Sequence, residues 1–156
     1  FVGDGSQPLH VTVHFNGWGD FPNPGGYTTA KIHAPFESDL VQASVTEASV
    51  VANMLPPKDC HCTLQKEVGD YLAATGALVV PLYQLEKAGG LASGDPRGPA
   101  FAAQRIAVGA SELRDLIVEA WQVSATQTLG YKPNAVSVAD VVAGKADPYA
   151  MLYGID

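Results

Sequence analysis

Basic residues are scarce in this sequence, and no two of them are adjacent. Nine Lys and Arg residues are outnumbered by sixteen Asp and Glu residues, which gives a formal net charge of −7. A protein that coats nucleic acid needs a basic surface to neutralise phosphates. The composition therefore argues against a general nucleic-acid-coating role.

Long hydrophobic runs are also absent. The longest apolar stretch, residues 73–85, is interrupted by Thr, Gly, Pro, Tyr and Gln, whereas a membrane-spanning helix needs about 20 predominantly apolar residues. No basic segment followed by a hydrophobic one, the pattern of a secretory signal, stands at the front. The 156 residues are 47% hydrophobic and 16% charged, which is typical of a single soluble domain, 1–156, with a sizeable core.

Cysteine is limited to Cys60 and Cys62, with one residue between them. Neighbouring side chains point in opposed directions, and bridged cysteines require a particular separation of their Cα atoms. We therefore expect no easy mutual disulfide, so each thiol is free or bridged to a partner outside this chain. A zinc site is weakly indicated, because no second Cys pair follows.

The elements predicted from the pattern are mainly helical. Helical periodicity covers residues 32–54, with a break where Ser44 or Thr46 caps a second helix before a Pro-Pro stop. A long helix is predicted over 62–88, with Thr63 as N-cap and a kink at Pro81. Another helix covers 100–125, and Ser137 begins a short last one. The helix at 100–125 is predicted to face the core with its regular apolar stripe, formed by Ile106, Ala110, Leu113, Ile117, Ala120 and Trp121.

One β-strand is predicted over residues 9–15, whose letters LHVTVHF alternate strictly between apolar and polar types. The Gly/Pro-rich stretch that follows is predicted to be an ordered loop. Its aromatic residues Trp18, Phe21 and Tyr27 either pack this loop or line a substrate pocket. The predicted fold class is mainly α, a multi-helix bundle with one short β-strand or hairpin.

Candidate metal ligands cluster near the N-terminus, where three of the four histidines lie within 37 residues of the start. Carboxylate oxygen together with imidazole nitrogen is the ligand set that zinc prefers. His33 and Glu37 are spaced i and i+4, which projects both from one face of a helix. The alternative is a solvated surface pair, with Asp4 as an ordinary turn residue. His14 is not included among the ligands.

A family resemblance adds to this pattern. The letters GDGSQPLH at 3–10, followed by HAPFE at 33–37, resemble the metal-binding motif HxxGDxxQPxH and then HxxxD or HxxxE of the zinc-dependent phospholipase C and S1/P1 nuclease superfamily. The segment AQRIAVG at 103–109 is similar to the last long helix of these proteins. Glu at position 37 matches the phospholipases, and Ser6 stands where the nucleases often have His.

The resemblance implies Zn²⁺ as cofactor and a phosphodiester as substrate, either a phospholipid head group or single-stranded nucleic acid. It implies that Asp4 bridges two zinc ions, while His10, His33 and Glu37 complete the shell of one of them. The metal residues expected are therefore Asp4, His10, His33 and Glu37, and no catalytic base is assigned.

The motif's first His is expected immediately before Phe1, and further family ligands lie in an N-terminal half. We therefore expect the chain to be the C-terminal part of a larger, secreted or periplasmic hydrolase. The missing ligands would come from that N-terminal segment or from a partner chain. The alternative is a non-catalytic structural or assembly module derived from the same fold, for which an unpaired strand and an acidic surface favour self-assembly.

Overall fold

The computed structural model describes residues 1–58, 60, 62–130 and 135–149. It is mainly α-helical with one short antiparallel hairpin, so the predicted fold class is confirmed. The chain divides into two compact units, Phe1–Leu113 and Arg114–Asp156. The helices are α1 (Val2–Ser6), α2 (Val41–Ser44), α3 (Glu47–Val51), α4 (Leu64–Gly76), α5 (Val79–Lys87), α6 (Arg97–Ser124) and α7 (Val138–Val142).

Two less common helical segments lie between these helices. A 3-10 helix covers Pro8–Val11, and a π-helix covers Pro35–Leu40 directly before α2. The hairpin consists of β1 (Thr128–Leu129) and β2 (Val136–Ser137), with Thr128 opposite Ser137. Among the described residues, no helix is long and apolar enough to cross a membrane.

The core of the first unit is assembled from several elements. It joins the 3-10 helix, the following loop, the π-helix, α5 and α6 through nine buried side chains: Leu9, Trp18, Ile32, Phe36, Leu40, Val79, Leu82, Tyr83 and Ala102. This core is the support on which the N-terminal residues are held.

Local helix signals predicted several boundaries well. Thr46 caps α3 through a capping box, in which its hydroxyl accepts from the Ser49 backbone N–H and the Ser49 hydroxyl accepts from the Thr46 N–H. Thr63 caps α4, and Ser137 caps α7. The predicted 62–88 helix is, however, divided into α4 and α5, and Pro81 lies in the first turn of α5, where no backbone N–H is required of it.

The predicted strand at 9–15 is wrong. The Gln7 side chain accepts a hydrogen bond from the Leu9 backbone N–H at 2.7 Å, and Pro8 begins a 3-10 helix. This local capping bends the chain before a strand can form. Leu9 is buried, but Val13 and Phe15, which belong to the same alternating set, are 64% and 58% exposed.

The predicted core face of α6 is also wrong. Its apolar stripe is exposed, with Ile106 at 38% and Leu113 at 48% in the first unit, and Trp121 at 80% in the second. The buried face in the first unit instead carries small and polar residues, Ala102, Ala103, Arg105, Ala107, Gly109 and Ser111. Small side chains let other elements approach the helix closely, so they occupy the buried face in place of the larger ones.

The two cysteines form a disulfide with each other, contrary to expectation. Their Cα atoms lie 5.1 Å apart, which is within the range that bridged cysteines adopt. The two side chains therefore meet each other, and no bridge to a partner outside the chain is needed.

Candidate metal centre

Three side chains that are distant in sequence meet at one point of the first unit. His10 comes from the 3-10 helix, His33 from the residues just before the π-helix, and Glu37 from within it. The His10 Nε2 lies 3.0 Å from the His33 Nε2 and 3.1 Å from the Glu37 Oε2, and the His33 Nε2 lies 2.7 Å from the same oxygen. Short π-helical stretches occur frequently at functional sites.

The second nitrogen of each imidazole has a hydrogen-bond acceptor beside it. The His33 Nδ1 lies 2.9 Å from the Phe15 carbonyl oxygen, and the His10 Nδ1 lies 3.2 Å from the Asp4 Oδ1. Carbonyl and carboxylate oxygens accept hydrogen bonds, so these neighbours favour the tautomer in which each Nδ1 carries the ring proton. In that tautomer of the neutral rings, both Nε2 atoms present lone pairs.

In this tautomer the meeting point is lined by three acceptors: two imidazole lone pairs and a carboxylate oxygen. Acceptors this close repel one another unless a cation, either a proton or a metal ion, lies among them. Metal-bound histidines in proteins almost always donate their other ring N–H to a carboxylate or a backbone carbonyl, and groups of both kinds lie beside the second ring nitrogens here. The residues present thus fit a zinc ion by donor type and by the neighbours of each ring.

The Glu37 carboxylate is kept ionised by its surroundings. Burial raises its pKa, but three effects together outweigh it: the hydrogen bond from the Gln7 side-chain N–H, at 3.3 Å from the Oε2, the hydrogen bond from His33, and the positive charge that His10 and His33 carry when they are protonated. The pKa of Glu37 consequently lies below its ordinary value of 4.5. A charged carboxylate is the form that a metal ion binds.

Asp4 lies at the outer side of this cluster. Its carboxylate contacts the Nδ1 of His10, which is the nitrogen opposite the meeting point, and its side chain is 75% exposed. In this arrangement Asp4 favours a proton on the Nδ1 of His10. The bridging role that the resemblance implies for Asp4 stays a prediction.

His14 is engaged elsewhere. Its ring stacks on Trp18 with the centroids 3.8 Å apart, and its Nδ1 lies 2.8 Å from the Trp18 carbonyl oxygen. Trp18 also contacts Tyr27 and Tyr83, so the interpretation of these aromatic residues as loop packing is supported. Phe21 touches the edge of His14 and is 49% exposed.

The loop between His10 and His33 is fixed by one tyrosine and one glycine. The Tyr83 hydroxyl donates to the His14 carbonyl and accepts from the Gly17 N–H. Gly17 has φ +99°, and a Cβ at this position would lie 2.5 Å from the Thr29 carbonyl oxygen, so only glycine fits. This loop presents the Phe15 carbonyl to His33.

Sequence reasoning missed the residues that orient the cluster. Gln7 donates to Glu37, and the Asn16 side chain accepts from the His33 backbone N–H at 3.2 Å. Gln7 belongs to the motif GDGSQPLH at residues 3–10, so the family resemblance could have indicated its role in the cluster. Nothing in the sequence marks Asn16 or the Phe15 carbonyl, because their roles depend on the path of the loop.

An apolar cleft of about 390 Å³ opens beside the cluster. Asp4, His10 and Glu37 stand on its polar side, and its apolar lining includes Val2, Phe36, Val41, Ala102, Ile106 and Leu113. The Arg105 guanidinium also borders the cleft, but its Nε donates to the Ser6 carbonyl and its Nη2 to the Thr75 hydroxyl.

Comparison with protein-family models, with curated proteins and with solved structures finds no match to this chain. The chemistry suggested for the chain therefore rests on the geometry of the cluster and of the cleft.

Proposed function

We propose that the chain is a zinc-dependent phosphodiester hydrolase of the phospholipase C or P1 nuclease type. The observation that carries the proposal is the convergence of the His10 Nε2, the His33 Nε2 and the Glu37 Oε2 within 3.1 Å of one another. The two imidazoles and the carboxylate would hold the ion. When bound, such an ion supplies Lewis acidity to a phosphoryl oxygen and activates water for attack on phosphorus.

The side chains around the cluster would prepare it for this chemistry. The Phe15 carbonyl and the Asp4 carboxylate keep both histidines in the tautomer that offers Nε2. Gln7 orients Glu37 and helps to hold its carboxylate ionised. With its ligands oriented in advance, the chain loses little conformational freedom when the ion binds.

The cleft supports a substrate with an apolar portion next to its phosphodiester. Its lining is largely aliphatic and aromatic, and its guanidinium group is already hydrogen-bonded to protein atoms. A phospholipid fits this surface better than a polyanionic strand, because single strands need a positively charged groove. We therefore favour the phospholipase type, with nucleic acid as the second substrate class.

Two further expectations belong to this proposal. Completion of the site would require ligands from an N-terminal segment or from a partner chain. Secretion or a periplasmic location is supported by the Cys60–Cys62 disulfide, since disulfides persist in oxidising compartments.

The test compares hydrolysis of a short-chain phosphatidylcholine with hydrolysis of single-stranded DNA, with Zn²⁺ and after chelation. With the N-terminal segment or partner chain that completes the site added, we expect zinc-dependent cleavage of the lipid that is abolished by Glu37→Gln. The matched control Glu47→Gln removes an exposed carboxylate at the start of α3 and should leave cleavage unchanged. Cleavage that survives both chelation and Glu37→Gln would contradict the proposal.

The competing function is a non-catalytic binding or assembly module. The exposed apolar stripe of α6, with Ile106 and Leu113 in the first unit, favours it, because soluble proteins seldom leave large contiguous apolar patches uncovered. A chain that binds zinc but hydrolyses neither substrate, and that self-associates in sedimentation analysis, would support this alternative.

A further inference from the structure

A second group of metal-ligating side chains lies at the start of α4. The sulfur atoms of Cys60 and Cys62 and a carboxylate oxygen of Glu67 all lie within 4.8 Å of one another. Glu67 is 5% exposed and sits in the first turn of α4, which Thr63 caps. Cys60 is exposed, so solvent and ions reach the sulfur side of the group.

A second buried carboxylate shares a lysine with Glu67. The Lys58 ammonium lies 3.4 Å from the Glu67 Oε1 and 3.0 Å from the Glu112 Oε2. The Glu112 side chain is 8% exposed. Its other oxygen, Oε1, is buried with no hydrogen-bond partner among the described residues. An unpaired buried carboxylate oxygen is costly, so additional positive charge near Glu112 would stabilise it.

We propose that Cys60, Cys62 and Glu67 form a second metal site, which binds a thiophilic divalent cation such as Zn²⁺ when the disulfide is reduced. When a divalent cation replaces both thiol protons, its charge balances that of the two thiolates beside Glu67. Thiolate and carboxylate ligands both suit Zn²⁺. In the oxidised chain the sulfur atoms are joined to each other, and the site is closed. The proposal is independent of the histidine cluster.

The gating step is ordinary thiol–disulfide chemistry. A dithiol reductant attacks the Cys60–Cys62 bond, gives up two electrons and two protons, and leaves as a cyclic disulfide, while both cysteines become thiols. Each thiol then loses its proton to the buffer as the cation binds, so metal binding releases two protons. A disulfide oxidant reverses the step: it accepts two electrons from the two thiolates and becomes a dithiol, the Cys60–Cys62 bond forms again, and the ion is released.

The test is a titration of the whole chain with Co²⁺, which substitutes for Zn²⁺ and gives a sulfur-to-metal charge-transfer absorption only when thiolates bind it. Reduction is carried out with a trialkylphosphine, because added thiols would compete for the metal. Water supplies the oxygen of the phosphine oxide and the two thiol protons. Co²⁺ bound by imidazole and carboxylate lacks this absorption, so the histidine cluster does not interfere.

We expect the reduced chain to develop the absorption and to bind one Co²⁺ more per chain than the oxidised chain, which should show no such absorption. Glu67→Gln should weaken this binding by about tenfold or more, whereas Asp70→Asn, which removes an exposed carboxylate of the same helix, should not. The redox comparison uses the wild-type chain and so does not depend on a variant's folding. The proposal is overturned if the reduced chain shows no such absorption, if it persists in a Cys60→Ser, Cys62→Ser variant, or if one ion is shared by two chains.

Discussion

Replacing Arg105 by Met tests how the segment that carries Gln7 and His10 is held in place. Arg105 lies on α6 and is 8% exposed. Its Nε donates to the Ser6 carbonyl at 2.9 Å, and its Nη2 donates to the Thr75 hydroxyl at 3.2 Å. It thereby ties the end of α1 to both α6 and α4.

The magnitude follows from these two bonds. A hydrogen bond to a charged group contributes about 1.5–3 kcal/mol, so their loss would cost about 3–6 kcal/mol. Arg105→Met also removes a buried positive charge. Burial of this charge is unfavourable, because it lowers the pKa of Arg105. Removing the charge therefore offsets part of the lost hydrogen-bond energy. We expect Arg105→Met to lower the free energy of unfolding by about 2–4 kcal/mol.

Urea denaturation followed by circular dichroism measures this change. The dependence of the free energy of unfolding on urea concentration is expected to be the same in the wild type and the variant. Thr75→Val removes only the longer bond at a buried position and should cost about 1.5–3 kcal/mol. Because α1 would be held less firmly, Arg105→Met should also weaken zinc binding by about tenfold or more. If the free energy of unfolding of Arg105→Met lies within about 0.5 kcal/mol of the wild-type value, Arg105 does not hold α1 in place.

Three further predictions concern other parts of the first unit. Leu82 is fully buried, so Leu82→Ala should destabilise the chain by about 2–5 kcal/mol in urea denaturation; a loss below about 1 kcal/mol would place it outside the core. Thr46→Ala removes the capping box of α3 and should lower the free energy of unfolding by about 1 kcal/mol, whereas Thr46→Ser should restore it if the cap is the cause. Hydrogen bonds from Arg97 lower the pKa of Asp95 from 3.8 to about 2, so the stabilisation from this pair is complete above pH 3.8 and disappears as the pH falls through about 2. In a carboxyl carbon NMR titration, Arg97→Gln should move that pKa back towards 3.8, and an unchanged value would exclude Arg97 as its cause.

Helix ends were predictable because their signals are local. Thr46, Thr63 and Ser137 all cap the helices that the sequence assigned to them. The division between α4 and α5 was not predicted, because Pro81 is compatible either with a kink or with the first turn of a new helix. The order of the surrounding residues does not distinguish these two outcomes.

The orientation of α6 was not predictable from periodicity. Large apolar residues and small residues both recur along this helix, and the large ones suggested the buried face. The structure buries the small ones because α1 packs closely there: a Cβ on Gly109 would lie 3.0 Å from the Ser6 hydroxyl. The spacing of apolar residues along a helix does not reveal such close contacts.

The convergence of the candidate site was predictable in part, but its support was not. The motif predicted that Asp4, His10, His33 and Glu37 come together, and the structure places side-chain atoms of the last three within 4.8 Å of one another. The position of Asp4 behind His10, and the carbonyl of Phe15 behind His33, depend on a 3-10 turn and a loop. A strand over residues 9–15, as predicted, would not have formed either of these contacts.

Zinc titration of the oxidised chain by isothermal calorimetry tests the central claim most directly, because the disulfide keeps the second proposed site closed. The account predicts one zinc ion per chain, bound through His10, His33 and Glu37. Glu37→Gln should weaken the binding by about tenfold or more, and Glu47→Gln should leave it unchanged. Less than one zinc per chain at saturation, or equal affinity in the wild type and Glu37→Gln, would contradict the account.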